Sequence, residues 1–393
     1  MRIRGPVAVT GNVLAVAVLA AAVTACGSSH PPSSSSAAST AIAFNDASCG
    51  GTWHLAKPGW HTFEITNNAE NGAEVDLTDP ATGGVYDELE NIGPRTTAPM
   101  SLDVGSGKYA FLCLVQDFDP ITGPAVTVSG HLPGARAIVP VTYNDLYPLE
   151  KKYAQYTEAG LQVLARETTT LAAAVHSGNL AAAKRDWLTA HLQYETLGAA
   201  YDAFGNYDDE IDGRADAVGT SSPKWTGFYR LEYGLWHGQP VAELTSVADA
   251  LSTYVHELLA WWPGQQIPLL DIGLRSHEIL ENALEFQLTG HDDYGSGTTL
   301  ATTLANIQGV RYLLSLLHPL LATRYPQLPQ VYSGLNLLQS LIEKERLRNG
   351  WWVPVSALPL QTRQDIDAAC GQLLQELAPI ASIAEPRNTA HEF

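Results

Sequence analysis

Between Ala41 and Leu132 the chain alternates apolar and polar residues in short runs, as in HTFEITN, AEVDLTD, KYAFLCLVQ and AVTVSGHL, with Gly, Pro and Asn between them. A period of two bounded by turn residues marks half-buried strands, and several such strands at close spacing predict a β-sandwich. Residues 43–132 are therefore assigned to a small Greek-key β domain. From Tyr143 onward the period lengthens, and Leu- and Ala-rich segments such as NLAAAKRDWLTAHLQYETLGAAYDAFG and TLATTLANIQGVRYLLSLLHPLL follow helical spacing. Gly178, Gly205 and Gly290 stand where helices would stop. Residues 141–385 are read as an all-α bundle of about eight helices, with a weak internal repeat between its two acid-bearing halves. The fold class is multidomain, a β-sandwich followed by a helical bundle.

The N-terminus has a different pattern. Residues 1–25 carry Arg2 and Arg4, then an apolar run from Val13 to Val23, the layout of a secretory signal peptide and too short for a membrane span. Val23-Thr24-Ala25-Cys26 resembles a bacterial lipobox, which implies lipidation of Cys26. Residues 26–42 then read as that lipidated Cys and a Ser/Pro-rich tether, GSSHPPSSSSAAST, with no means of burying a core. The expectation is an exported protein anchored to the cell envelope, facing the periplasm or the cell exterior.

Composition narrows the partners. At 45% hydrophobic over 393 residues the chain can build two cores. Without Arg2 and Arg4 it has 20 Lys and Arg against 41 Asp and Glu, a balance that excludes nucleic acid and anionic lipid as electrostatic partners. Cys49 and Cys113 both fall in the β domain, where they are either a disulfide or ligands to a metal near Glu74, Glu88 and Glu90. Cys113 is followed by LVQDFDP, which lacks the His and Met of a blue-copper site. Cys370 lies in a helical stretch and reads as a buried apolar residue.

Common hydrolytic motifs are missing. His277-Glu278 and His256-Glu257 lack the second histidine of H-E-x-x-H, and there is no G-x-S-x-G, P-loop or dinucleotide fingerprint. What remains is a set of oxygen donors on helices: Glu195, Asp208, Asp212, Tyr229, Glu232, Glu281, Asp292 and Asp293. Tyr229 with Glu232, His191 with Glu195, and His277 with Glu281 share helix faces by spacing, and a bundle core is where facing helices assemble carboxylate metal sites.

TGFYRLE resembles the FTGFHRLE-like segment of imelysin-like proteins, and YDELENIGPR with YAFLC resembles the cupredoxin-like module of iron-uptake lipoproteins. The resemblance covers about residues 43–385. It implies a cupredoxin-like domain joined to an imelysin-like domain, a metal-binding component without catalysis that delivers iron to an inner-membrane permease beside a haem-containing Dyp-type peroxidase. It also implies metal candidates at Cys49, Glu74, Glu88 and Cys113 in the first domain and at Glu195, Glu232 and Glu281 in the second. Tyr229 departs from the family pattern, H-x-x-E, by placing a phenol where an imidazole is expected. Oxygen donors suit harder cations, so ferric iron is favoured, with copper and zinc as lesser candidates. Two other classes compete: an imelysin-like metallohydrolase, and a structural or adhesive envelope lipoprotein whose acids are surface decoration.

Overall fold

The computed structural model describes residues 39–387, Ala56 excepted; Cys26 and the signal segment lie outside the described residues. Nine strands come first: β1 (Ser39–Asn45), β2 (Ser48–Cys49), β3 (Gly59–Asn67), β4 (Ala73–Thr78), β5 (Val85–Ile92), β6 (Thr97–Val104), β7 (Gly107–Val115), β8 (Ile121–Thr122) and β9 (Val126–Val128). One sheet runs β2-β1-β3-β6 and the other β5-β4-β7-β8, with β9 also on β7. All pairs are antiparallel except β1 with β3. β1 begins at Ser39, inside the stretch read as tether, because parallel pairing with β3 from Ser39 to Phe44 satisfies a backbone whose side chains carry little strand signal.

Alternation sends Phe63 and Ile65 of β3 and Val75 and Leu77 of β4 into the space between the sheets, where Phe63 packs on Trp53 and Phe111 with ring centroids 5.1 and 5.2 Å away. Cys49 and Cys113 form a disulfide there, linking the two sheets.

The helical unit holds ten α-helices among the described residues: α1 (Tyr143–His176), α2 (Leu180–Glu195), α3 (Tyr201–Phe204), α4 (Asn206–Asp212), α5 (Gly227–Trp236), α6 (Val241–Trp261), α7 (Leu269–Asn282), α8 (Thr299–Arg324), α9 (Leu328–Glu343) and α10 (Leu360–Ile383). The excess over about eight comes from α3 and α4, which are too short to leave a periodic signature. Thr142 and Asp145 close a reciprocal capping box at the start of α1. Gly178, Gly205 and Gly290 all take left-handed φ at the expected stops. α8 is buried almost all round, and α7 runs into a π turn over Ala283–Gln287.

The two units meet along the connecting segment. Ile138 bridges Val85 of β5, Arg324 of α8 donates from Nε to the Val139 carbonyl at 2.7 Å, and Val141 pairs in parallel with Pro386 beyond α10. The end of the described chain thereby returns to the β domain.

Candidate metal centre

A cavity of about 480 Å³ opens among α2, α4, α5, the π turn and α8, and acidic side chains predominate on its walls. α2 contributes His191 and Glu195, one helical turn apart, and α4 contributes Asp208 and Asp212 with the same spacing. Tyr229 comes from the first turn of α5, Gln287 from the π turn, Asp292 from the following loop and Asn306 from α8.

The junction of α4 and α5 sets the relation between Asp212 and Tyr229. Gly227 has φ +84°, and a Cβ there would lie 2.2 Å from the Ile211 carbonyl oxygen. Only glycine permits both the dihedral and the approach. Thr226 donates from Oγ1 to the Glu210 carbonyl at 2.8 Å, and the Trp225 indole donates to the Gly213 carbonyl at 2.9 Å. These bonds satisfy the C-terminal carbonyls of α4 and dock α5 against them.

His191 is 1% exposed and walled by Trp187, Phe228 and Tyr229 at centroid distances of 4.9, 5.2 and 5.3 Å. Its Nε2 lies 3.1 Å from Glu195 Oε1 and 3.2 Å from Asp212 Oδ1. Neither approach is aligned as a hydrogen bond, and Nδ1 also has no partner. One ligand atom from each of His191, Glu195 and Asp212 falls within 4.8 Å of the others, an arrangement directed at a shared point between them. A buried imidazole with no aligned bond at either nitrogen is costly unless something else occupies its lone pair. The three residues therefore fit a cation.

Neighbouring groups fix these donors. Asn306 donates from its amide to Glu195 Oε2 at 2.9 Å and to the Glu195 carbonyl at 3.0 Å. Asp292 accepts at Oδ2 from Gln287 at 2.7 Å and from Tyr229 at 3.2 Å, while its Oδ1 faces the Arg214 Nε at 3.8 Å. The Tyr194 hydroxyl donates to Asp208. Burial works against an imidazolium, but Asp212 and Glu195 override it and push His191 up to about 10. Burial, opposed by His191, raises Asp212 to about 8. Burial and the nearby carboxylates push the Tyr229 phenol far above its ordinary value. Without a cation the site holds protons that a bound metal would displace.

The motif-derived residues divide. Glu195 and Tyr229 line the cavity. Glu232 is buried behind its wall, where Oε1 accepts from the backbone N–H of Tyr294 at 3.1 Å and of Ser296 at 2.9 Å and so ties down the loop carrying Asp292. Burial raises Glu232 to about 7, against those bonds. Glu281 sits on the exposed side of α7, 3.6 Å from His277, and takes no part in the cavity. Its spacing from His277 is right, but the face they share looks to solvent. His191 is absent from the motif-derived ligand set, although its spacing from Glu195 is legible in the sequence.

A second cluster lies in the β domain. Ligand atoms of Glu74, Asp76 and Glu88 come within 4.8 Å of one another. Asp76 pairs with Glu88 on β5 and with Leu112 on β7, whereas Cys113 pairs with Val75. Successive residues face opposite sides of a sheet, so the carboxylates stand on the outer face and the sulfurs in the core. The expectation that Cys49 and Cys113 join Glu74 and Glu88 as ligands is thus corrected: the sulfurs are bonded to each other, on the wrong side of the sheet. Asp76 takes their place, and burial together with Glu74 raises its carboxyl to about 8.

The helical unit is an imelysin domain, its residues 149–334 matching the family model described as Imelysin. Over 313 residues the chain is 26% identical to Iron uptake system component EfeO of Yersinia pestis, covering 79% of this chain and 82% of the relative. The protein of the same name from Escherichia coli O157:H7 is 24% identical over 315 residues, with the same coverage of each. Together these matches support an EfeO-type protein.

Proposed function

We propose that this protein binds iron as a component of an uptake system and has no catalytic role. The observation that carries the reading is His191, fully buried, with both ring nitrogens free of aligned bonds and two carboxylates turned towards Nε2. In this reading His191, Glu195 and Asp212 hold the cation, Tyr229 and Asp292 complete its oxygen shell, and Glu232 braces the loop. One imidazole among several oxygen donors accommodates iron in preference to softer copper. The relatives' printed names describe an uptake component, which favours this reading over a metallohydrolase.

The finer features belong to the same proposal: anchoring through a lipid on Cys26, exposure to the periplasm or cell exterior, delivery to an inner-membrane permease, and cooperation with a Dyp-type haem peroxidase. Glu74 and Glu88, joined by Asp76, form a second cation site in the β domain, and zinc and copper are competing ions. Equilibrium dialysis of the mature protein against ferric nitrilotriacetate, zinc and copper tests the core claim. Retention of iron that is lost on Asp212→Asn supports it; no retained metal leaves the envelope-structural reading. Cys26→Ser is expected to move the protein from the membrane fraction to the soluble one.

A further inference from the structure

Arg387 follows α10 and belongs to neither domain's core, yet its side chain is only 15% exposed. It reaches across to the outer face of the β5-β4-β7 sheet and forms an ion pair with Glu88 through Nη1. The same nitrogen lies 3.0 Å from Glu90 Oε1 and 3.7 Å from Glu74 Oε1. Its backbone N–H donates to the Val141 carbonyl at 2.8 Å, beside the Pro386–Val141 bridge, so the residue also grips the segment joining the domains.

We propose that Arg387 is a tethered occupant of the Glu74–Asp76–Glu88 cluster, and that a multivalent cation binding there displaces it and releases the C-terminal segment from the β domain. The proposal rests on the β-domain cation site proposed above. One guanidinium does not satisfy the cluster. Asp76 is 3% exposed, and its Oδ1 has no hydrogen-bond partner although it is within reach of the other two carboxylates. That buried oxygen is a position the bulky, planar guanidinium leaves unused and a small ion can take. An open groove beside Glu74 and Glu90, lined also by Asp117 and Asp119, gives a hydrated cation a route in. Two cations cannot share the carboxylates, because their repulsion at contact distance exceeds what either gains there.

The competition is intramolecular. A side chain tethered this closely acts as a competitor at an effective concentration in the millimolar range, enough to weaken an ion's apparent affinity by about tenfold or more. Arg387 is also a tryptic site, and a guanidinium held in the cluster cannot enter a protease pocket. Cation occupancy is thereby converted into accessibility at residue 387.

The test uses the mature full-length chain with terbium(III), a hard, oxygen-seeking trivalent probe. Loss of residues 388–393 under limited trypsin is followed by mass, and ion binding by calorimetry. Saturating terbium is expected to accelerate cleavage after Arg387 by about tenfold, matching the release of the competitor. Glu88→Gln is expected to accelerate it without the ion. Arg387→Gln is expected to tighten binding by about tenfold, a gain removed by adding Asp76→Asn. If terbium binds in an Asp76-dependent way but leaves the cleavage rate unchanged, or if Arg387→Gln leaves the affinity unchanged, the displacement mechanism is overturned while the site stands. If Arg387→Gln binds no terbium that Asp76→Asn removes, the site fails and the mechanism with it.

Discussion

Two carboxylate clusters, one in each domain, are kept apart by what neutralises them when no metal is present. In the helical domain Glu195 and Asp212 converge on His191, a buried imidazole whose companion is a proton. In the β domain Glu74 and Glu88 surround Arg387, a permanent cation from the far end of the chain. Similar donor sets thus have different competitors. A cation entering the first displaces protons and answers to pH; one entering the second displaces a guanidinium at a half-exposed surface and answers to ionic strength.

The sharpest way to separate them is His191→Ala. Loss of a direct ligand is expected to weaken metal binding in the helical domain by at least the ~10–100-fold that outer-shell changes cost, with the β-domain cluster untouched. Calorimetry with ferric nitrilotriacetate reads both sites, and equal losses at both would erase the distinction.

Gly227→Ala attacks the scaffold instead of the ligand. A Cβ 2.2 Å from the Ile211 carbonyl and a left-handed φ force α4 and α5 apart, and a loss of about 2–3 kcal/mol in thermal or urea unfolding is expected. Iron retention should fall with it, because Asp212 and Tyr229 sit on opposite sides of that junction.

pH gives the next effect. His191, raised from 6.5 to about 10, contributes stability to the metal-free protein that is fully present below pH 6.5 and lost as pH climbs through 10. Asp212, raised from 3.8 to about 8, favours folding in its protonated form and loses that contribution as pH rises through 8. Unfolding midpoints without metal should therefore decline between pH 6.5 and 10, and iron added at pH 7 should acidify a weakly buffered solution. A midpoint that rises across this window would contradict the assignment of the proton to His191 and Asp212.

Tyr229→Phe is a smaller perturbation. The phenol's hydrogen bond to Asp292 is worth about 1 kcal/mol, and its removal should abolish any visible tyrosinate-to-iron charge-transfer band in the ferric protein. A band that survives unchanged removes Tyr229 from the coordination shell. Glu281→Ala, on the solvent face of α7, should change iron binding within error and stability by under about 0.5 kcal/mol.

The division into β and all-α halves and the glycine stops were legible in the sequence because both rest on local periodicity and local backbone conformation. Spacing also paired His191 with Glu195 and Tyr229 with Glu232. Spacing fixes a shared face but not what the face meets: Glu232 meets the backbone of a loop 62 residues on, and Glu281 meets water. The cysteine ligand reading failed on side-chain parity, since Val75 opposite Cys113 puts Glu74 and Asp76 on the reverse of the sheet. Arg387 was illegible, as nothing local ties it to Glu90, 297 positions earlier.

The π turn at Ala283–Gln287 carries a consequence for how this cavity can be altered. A π turn is a helix with one surplus residue, so removing any one residue from it restores ordinary winding and rotates everything downstream by about 100° relative to α7. Phe286, which underlies the Arg214 guanidinium at 3.7 Å, and Gln287, which holds Asp292, would lose their alignment together. This wall of the cavity therefore depends on chain length as well as residue identity. A one-residue deletion there would abolish contacts that no point substitution elsewhere in the helix could restore.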